Sequence, residues 1–119
     1  MEFTEEERQR WSQRLSNNPK LDWHVDCEHQ LHCGFITDDE EKWKRFVDQH
    51  EEEIAERLYS KYHSWILLKN GEYWQRYYPN HNCRAYRVLK AKVDKDIDKN
   101  YFNSVLSQML VHCYELEWI

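Results

Sequence analysis

Apolar positions recur at two different periods along this chain, and the switches between them mark out its elements. Near the N-terminus, Thr4 followed by Glu7 makes a capping box, in which the Thr oxygen takes an amide of the first turn and the Glu reaches back. This predicts a short helix running to about Leu15, ended by Asn17-Asn18-Pro19. Residues 21–25 and 31–36 alternate at period two and read as short strands.

Thr37 and Glu40 form a second capping box, with Asp38 and Asp39 well placed for the helix dipole. Behind them Trp43, Phe46, Val47, His50, Ile54, Leu58 and Tyr62 recur at helical spacing, which predicts one long helix with a charged opposite face. Asn70-Gly71 lies between two runs rich in β-formers and predicts a hairpin with a two-residue type I′ turn. That turn would set Leu68 opposite Tyr73 and Leu67 opposite Trp74. Residues 83–93 read as a third strand of the same group. After a polar linker over 94–100, a final helix carries Phe102, Val105, Leu106, Met109, Cys113 and Leu116 on one face. Strands set between helices predict one small α+β domain over residues 1–119. Its antiparallel sheet, with the Asn-Gly hairpin, would pack against two or three helices.

Composition adjusts this picture in two places. Six Trp and eight Tyr make a core feasible where aliphatic residues are few, since each large ring buries roughly 150–250 Å². The net charge of −5 is unevenly spread. The segment 61–95 carries eight basic residues against Glu72 and Asp94, so the rest of the chain is strongly acidic. No apolar run approaches the roughly 20 residues of a membrane span. The start of the chain is acidic and polar, without the apolar region of a secretory leader. The expectation is a cytoplasmic protein with reduced cysteines.

The densest candidate chemistry is WHVDCEHQLHCGF, residues 23–35, with three His and two Cys. Zinc takes four Cys or His ligands, commonly as two close pairs, and Cys27, Cys33, His81 and Cys83 could supply them in a small zinc module. However, no C-x-x-C is present, and adjacent ligands such as His32-Cys33 make an awkward bite on a strand. Cys27 shares parity with Trp23 and Val25, and Cys33 with Leu31 and Phe35, while Cys113 falls on an apolar helical stripe. Those are core positions, and a thiol packs well there as a small hydrophobe. The expectation is therefore core thiols, with no metal or other cofactor. His50, on its apolar stripe, reads as a hydrogen-bonded core histidine.

Catalytic signatures are missing. Gly34 and Gly71 are the only glycines, too few for either Gly-rich phosphate-binding loop, and no nucleophile-elbow, H-E-x-x-H or EF-hand pattern occurs. The chain reads as a non-enzyme.

Binding is the remaining reading. Tyr62, Trp65, Tyr73, Trp74, Tyr77, Tyr78 and Tyr86 are interleaved with basic residues, and a strand cannot bury every such ring on one face. The expectation is that Trp74, Arg76 and Tyr77 anchor a partner, since Trp, Tyr and Arg dominate interface hot spots. Glu51, Glu52, Glu53 and Glu56, on the acidic face of the long helix, would steer a protein partner with a basic surface. This describes a non-catalytic interaction module, inhibitory or regulatory. In physical character it is comparable with immunity proteins or phage-encoded antagonists, and would act as a monomer or homodimer. The alternative is single-stranded nucleic-acid binding by the basic, aromatic segment 61–95.

Overall fold

The computed structural model describes residues 1–20, 31–60, 63–79 and 86–119. The strand expected over 21–25, and with it Cys27, Lys61, Tyr62, His81 and Cys83, lies outside the described residues.

Helix α1 (Glu5–Ser16) starts as its sequence directs. The Glu7 amide donates to Thr4 Oγ1 and the Thr4 amide donates to Glu7 Oε1. Strand β1 (Leu31–Ile36) follows, then α2 (Glu40–Gln49), a 3₁₀ turn (Glu51–Glu53), β2 (Ile54–Tyr59), β3 (Ser64–Leu68), β4 (Glu72–Tyr77) and β5 (Lys90–Val93). A short helical segment runs through α3 (Lys99–Tyr101), a π-helical stretch (Phe102–Leu106) and α4 (Ser107–Met109), and leads into β6 (Glu115–Trp118).

The chain is an α+β domain built on a six-stranded sheet of order β2-β3-β4-β1-β5-β6. β2–β3 and β3–β4 pair antiparallel, whereas β4–β1, β1–β5 and β5–β6 run parallel. Parallel neighbours need crossover connections, and these carry helices onto both faces of the sheet. On one face α2 packs Trp43 and Phe46 against Cys33, Phe35, Ile66, Leu68 and Trp74. On the other, the final helical segment and α1 set Phe102, Leu106, Met109 and Leu15 against Ile36, Tyr77, Ala91 and Val93. β1 is covered on both sides, so Cys33, Gly34, Phe35 and Ile36 are all buried. Gly34 permits that packing: a Cβ there would lie 3.2 Å from Val88 Cγ1 and 3.4 Å from Met109 Cε.

Four expectations are corrected. The N-cap of α2 is Asp39, whose side chain accepts from the Glu41 amide. Thr37 lies two residues before the cap: its Oγ1 accepts from the Asp39 amide and donates to Asp94 across the sheet at 2.6 Å. Helix α2 stops at Gln49, and residues 54–59 form a strand. Apolar residues four apart, such as Ile54 and Leu58, fit period two as well as period 3.6, and pairing with β3 decides between them.

The connection from β3 to β4 spans three residues, with Gly71 at φ +95° and its amide donating to Leu68 O. Leu67 consequently faces Tyr73, and Ile66 faces Trp74, one position away from the expected register. Finally, the last helix ends at Met109. Cys113 and Leu116 reach the same core from a turn and from β6.

Candidate interaction surface

The residues expected to anchor a partner are core residues. Trp74, Tyr77 and Arg76 are only 5%, 4% and 7% exposed. Trp74 packs edge-on to Phe46 at 5.1 Å and donates its indole N–H to Glu72. The Tyr77 hydroxyl meets His32 Nε2 at 3.1 Å. Arg76 donates to the Thr37 carbonyl and lies over the Tyr78 ring. The expected exposure fails because β4 is an interior strand with cover on both faces.

Two lysines of the basic segment are paired with carboxylates within the domain. Lys90 pairs with Glu72 at 2.8 Å and lies 3.8 Å from Glu115, and Lys92 pairs with Glu117. The Glu72 carboxyl is pushed up by burial, yet hydrogen bonds from Lys90 and Trp74 hold it below the ordinary Glu range. Lys69 and Lys95 are exposed, but they sit at separate ends of strands β3 and β5.

Both described cysteines are buried thiols. Burial pushes Cys33 far above the ordinary thiol range and Cys113 up to about 11, so neither is poised as a thiolate nucleophile or ligand. Among the described residues, no three His, Cys, Asp or Glu side chains gather into a metal-binding group. His50 caps the end of α2, with Nδ1 2.9 Å from Phe46 O and its ring against Phe46.

A polar cluster that the sequence reading missed sits at the carboxyl ends of the parallel strands. Asp94, just after β5, accepts from Thr37 Oγ1 (2.6 Å), Lys42 Nζ (2.9 Å) and the Asp96 amide (2.9 Å). Lys42 also reaches the Ile119 carbonyl. Every member is engaged by another, so the cluster fastens α2 to the sheet. Its one sequence signal is an Asp directly following the alternating strand Lys-Ala-Lys-Val.

The expected acidic residues do lie at the surface, on a turn and a strand. Glu51, Glu52 and Glu53 form the exposed 3₁₀ turn, and Glu56 lies on β2. Glu51 accepts both Arg57 Nη1 (3.0 Å) and Nη2 (2.6 Å), which holds its carboxyl below the ordinary range.

Strand β2 is one edge of the sheet. Only Ile54 of its six residues is half-buried, and Leu58 and Tyr59 are 42% and 56% exposed. The Ser60 amide bonds the His63 carbonyl, so Ser60–His63 is a close pair of the antiparallel ladder. Alternation then bonds Glu56 and Leu58 to β3 and turns the N–H and C=O of Arg57 and Tyr59 outward. None of the described hydrogen bonds reaches those outer groups. The other edge, β6, is blunted by α1: Ser12 donates to Leu116 O, and Trp118 donates its indole N–H to Arg8 O.

Between β2 and α2 lies a groove of about 300 Å³, lined by Trp43, Val47, Asp48, Arg57, Tyr59 and Ile66. The Tyr59 hydroxyl donates to Glu40 of α2 at one side of it. Leu58 and Tyr59 escaped the sequence reading, which put Leu58 on a buried helical stripe. Their signal was Ile-Ala-Glu-Arg-Leu-Tyr, a run with β-formers at both ends.

Among the described residues, no helix is long and apolar enough to cross a membrane. No protein-family model, no curated protein and no solved structure matches the chain.

Proposed function

We infer that the chain is a non-catalytic protein-interaction module, inhibitory or regulatory in kind, whose recognition element is the open edge strand β2. The observation that carries this reading is the contrast between the two edges of one sheet. β6 is closed by α1, while β2 offers outward backbone groups at Arg57 and Tyr59 next to an apolar groove. Native proteins blunt such edges, because a bare strand templates pairing with another chain. The bulge between Ile54 and Glu56 does this for the first half of β2, and residues 57–59 stay regular. Strand addition uses main-chain hydrogen bonds for affinity and side-chain pockets for specificity, and β2 with its groove offers both. Free, buried thiols at Cys33 and Cys113 suit a cytoplasmic setting.

A photo-crosslinking residue at position 59, compared with one at the exposed Val111, tests the reading in cells that make the protein. Discrete adducts from position 59 alone are expected. Adducts of equal yield from both positions, or none from position 59, would remove β2 as the recognition element.

A further inference from the structure

The chemistry around β2 also restricts what can lie along it, and this inference rests on the reading of β2 as the binding edge. We propose that the occupant is an extended segment of a partner protein, antiparallel to β2, with alternating apolar residues followed toward its C-terminus by Lys or Arg.

Direction follows from the sheet. β2 ends its antiparallel part, since β2–β3 and β3–β4 both pair antiparallel, and an antiparallel neighbour at the outward groups of Arg57 and Tyr59 continues that part with the more stable ladder. An antiparallel neighbour would exchange paired hydrogen bonds with these two residues. The partner residues opposite Arg57 and Tyr59 share their face of the sheet, on which the groove lined by Trp43, Val47 and Ile66 opens. A branched aliphatic or aromatic side chain suits that space at both positions, while the residue between them faces away from Trp43, Val47 and Ile66. This sets the apolar alternation.

Charge then sets the other end. An antiparallel segment leaves β2 beside its first residues, where Glu51, Glu52, Glu53 and Glu56 are all exposed, with Asp48 on the adjoining helix. Arg57 is the cation on this part of the strand, and it is already held by Glu51. Among the described residues Glu52, Glu53 and Glu56 outnumber the exposed Lys69, whose amide bonds the Glu53 carbonyl, so basic residues at the C-terminal end of the partner segment meet complementary charge. A second copy of this chain would bring its own acidic turn into the same neighbourhood, which disfavours self-pairing.

The test is a selection from a random-peptide library displayed on phage, run against the whole protein and against Arg57→Pro and Tyr59→Pro. Neither of those amides is used by the β3 ladder, so proline removes only the outward donor, as on natural edge strands. Circular dichroism confirms that each variant is folded, and Tyr59→Ala and Leu58→Lys serve where a proline variant is not. Expected are peptides with alternating apolar positions and a C-terminal basic cluster, retained about 10-fold less by the β2 variants. The Glu52→Lys/Glu53→Lys variant should lose the basic preference while keeping the apolar alternation. Strand-like peptides that need β2 but lack the basic end, or carry it at the N-terminal side, would overturn the inference and leave β2 as the binding edge. A concentration-dependent dimer that blocks the peptides and is abolished by Tyr59→Pro would do the same, with a second copy as the occupant. No enrichment over an unrelated protein, or enrichment indifferent to the β2 variants, would overturn both.

Discussion

Thr37 donates a 2.6 Å hydrogen bond to the Asp94 carboxylate, and that contact joins the end of β1 to the end of β5 at a buried point. Lys42 of α2 binds the other carboxylate oxygen at 2.9 Å, so a helix and two parallel strands meet on one side chain.

The junction gives the domain a specific acid sensitivity. Burial alone would push the Asp94 carboxyl up, but hydrogen bonds from Thr37, the Asp96 amide and Lys42 outweigh it and hold the group below the ordinary Asp range. A carboxyl lowered on folding adds stability above its unfolded pKa, and that contribution is lost as pH falls through the folded value. At pH 7, Asp94→Asn should cost about 2–4 kcal/mol in urea denaturation, because Lys42 loses its counter-charge. Below about pH 4, where the unfolded carboxyl takes up its proton, the gap between wild type and variant should close progressively. A gap that is unchanged at pH 3 would mean that the ion pair is not its source.

Close packing at β1 yields a second prediction. A methyl group at position 34 would press on Val88 Cγ1 at 3.2 Å, and that side chain is fully buried. Gly34→Ala should therefore destabilise the protein by about 1–3 kcal/mol, the usual cost of overpacking. Thermal unfolding gives the answer, and a rise in midpoint would show that the sheet has room there.

The same contacts explain how far the sequence could be read. The box of Thr4 and Glu7 is complete within four residues, and it appears as written. The similar box at Thr37 fails because the helix starts on Asp39, while the Thr37 hydroxyl accepts from the Asp39 amide and donates to Asp94, 57 positions away, a contact that no local pattern carries. Ile54 and Leu58 satisfied a helical period and a strand period equally, and only pairing with β3 separated them. β6 was hidden for a related reason: Cys113 and Leu116 enter the core of the preceding helix from non-helical backbone. At the surface, the acidic group 51–56 was legible because consecutive carboxylates resist burial. The fate of Trp74 and Tyr77 was not, since burial there depends on β4 being interior, a consequence of topology.

Thiol chemistry checks the core placement of the cysteines. Cys113 is pushed up to about 11 by burial, and Cys33 further. Alkylation at pH 8 followed by peptide mapping should leave both largely unmodified in the folded protein and modify both in urea. Rapid labelling of Cys33 in the native state would contradict its place between β1 and α2.

Exposed and buried aromatic residues should separate cleanly under alanine substitution. Trp74 fills the space between Phe46 and the sheet, so Trp74→Ala should cost about 3–5 kcal/mol in urea denaturation, whatever it does to binding. Leu58 lies on the open edge, and Leu58→Ala should leave stability within about 0.5 kcal/mol. If β2 is the recognition element, Leu58→Ala should instead weaken retention of peptides selected on the wild-type protein, by at least several-fold. Measuring both quantities on both variants distinguishes a binding residue from a packing residue. A Leu58→Ala protein that loses neither stability nor peptide retention would leave the exposed edge without a function in recognition.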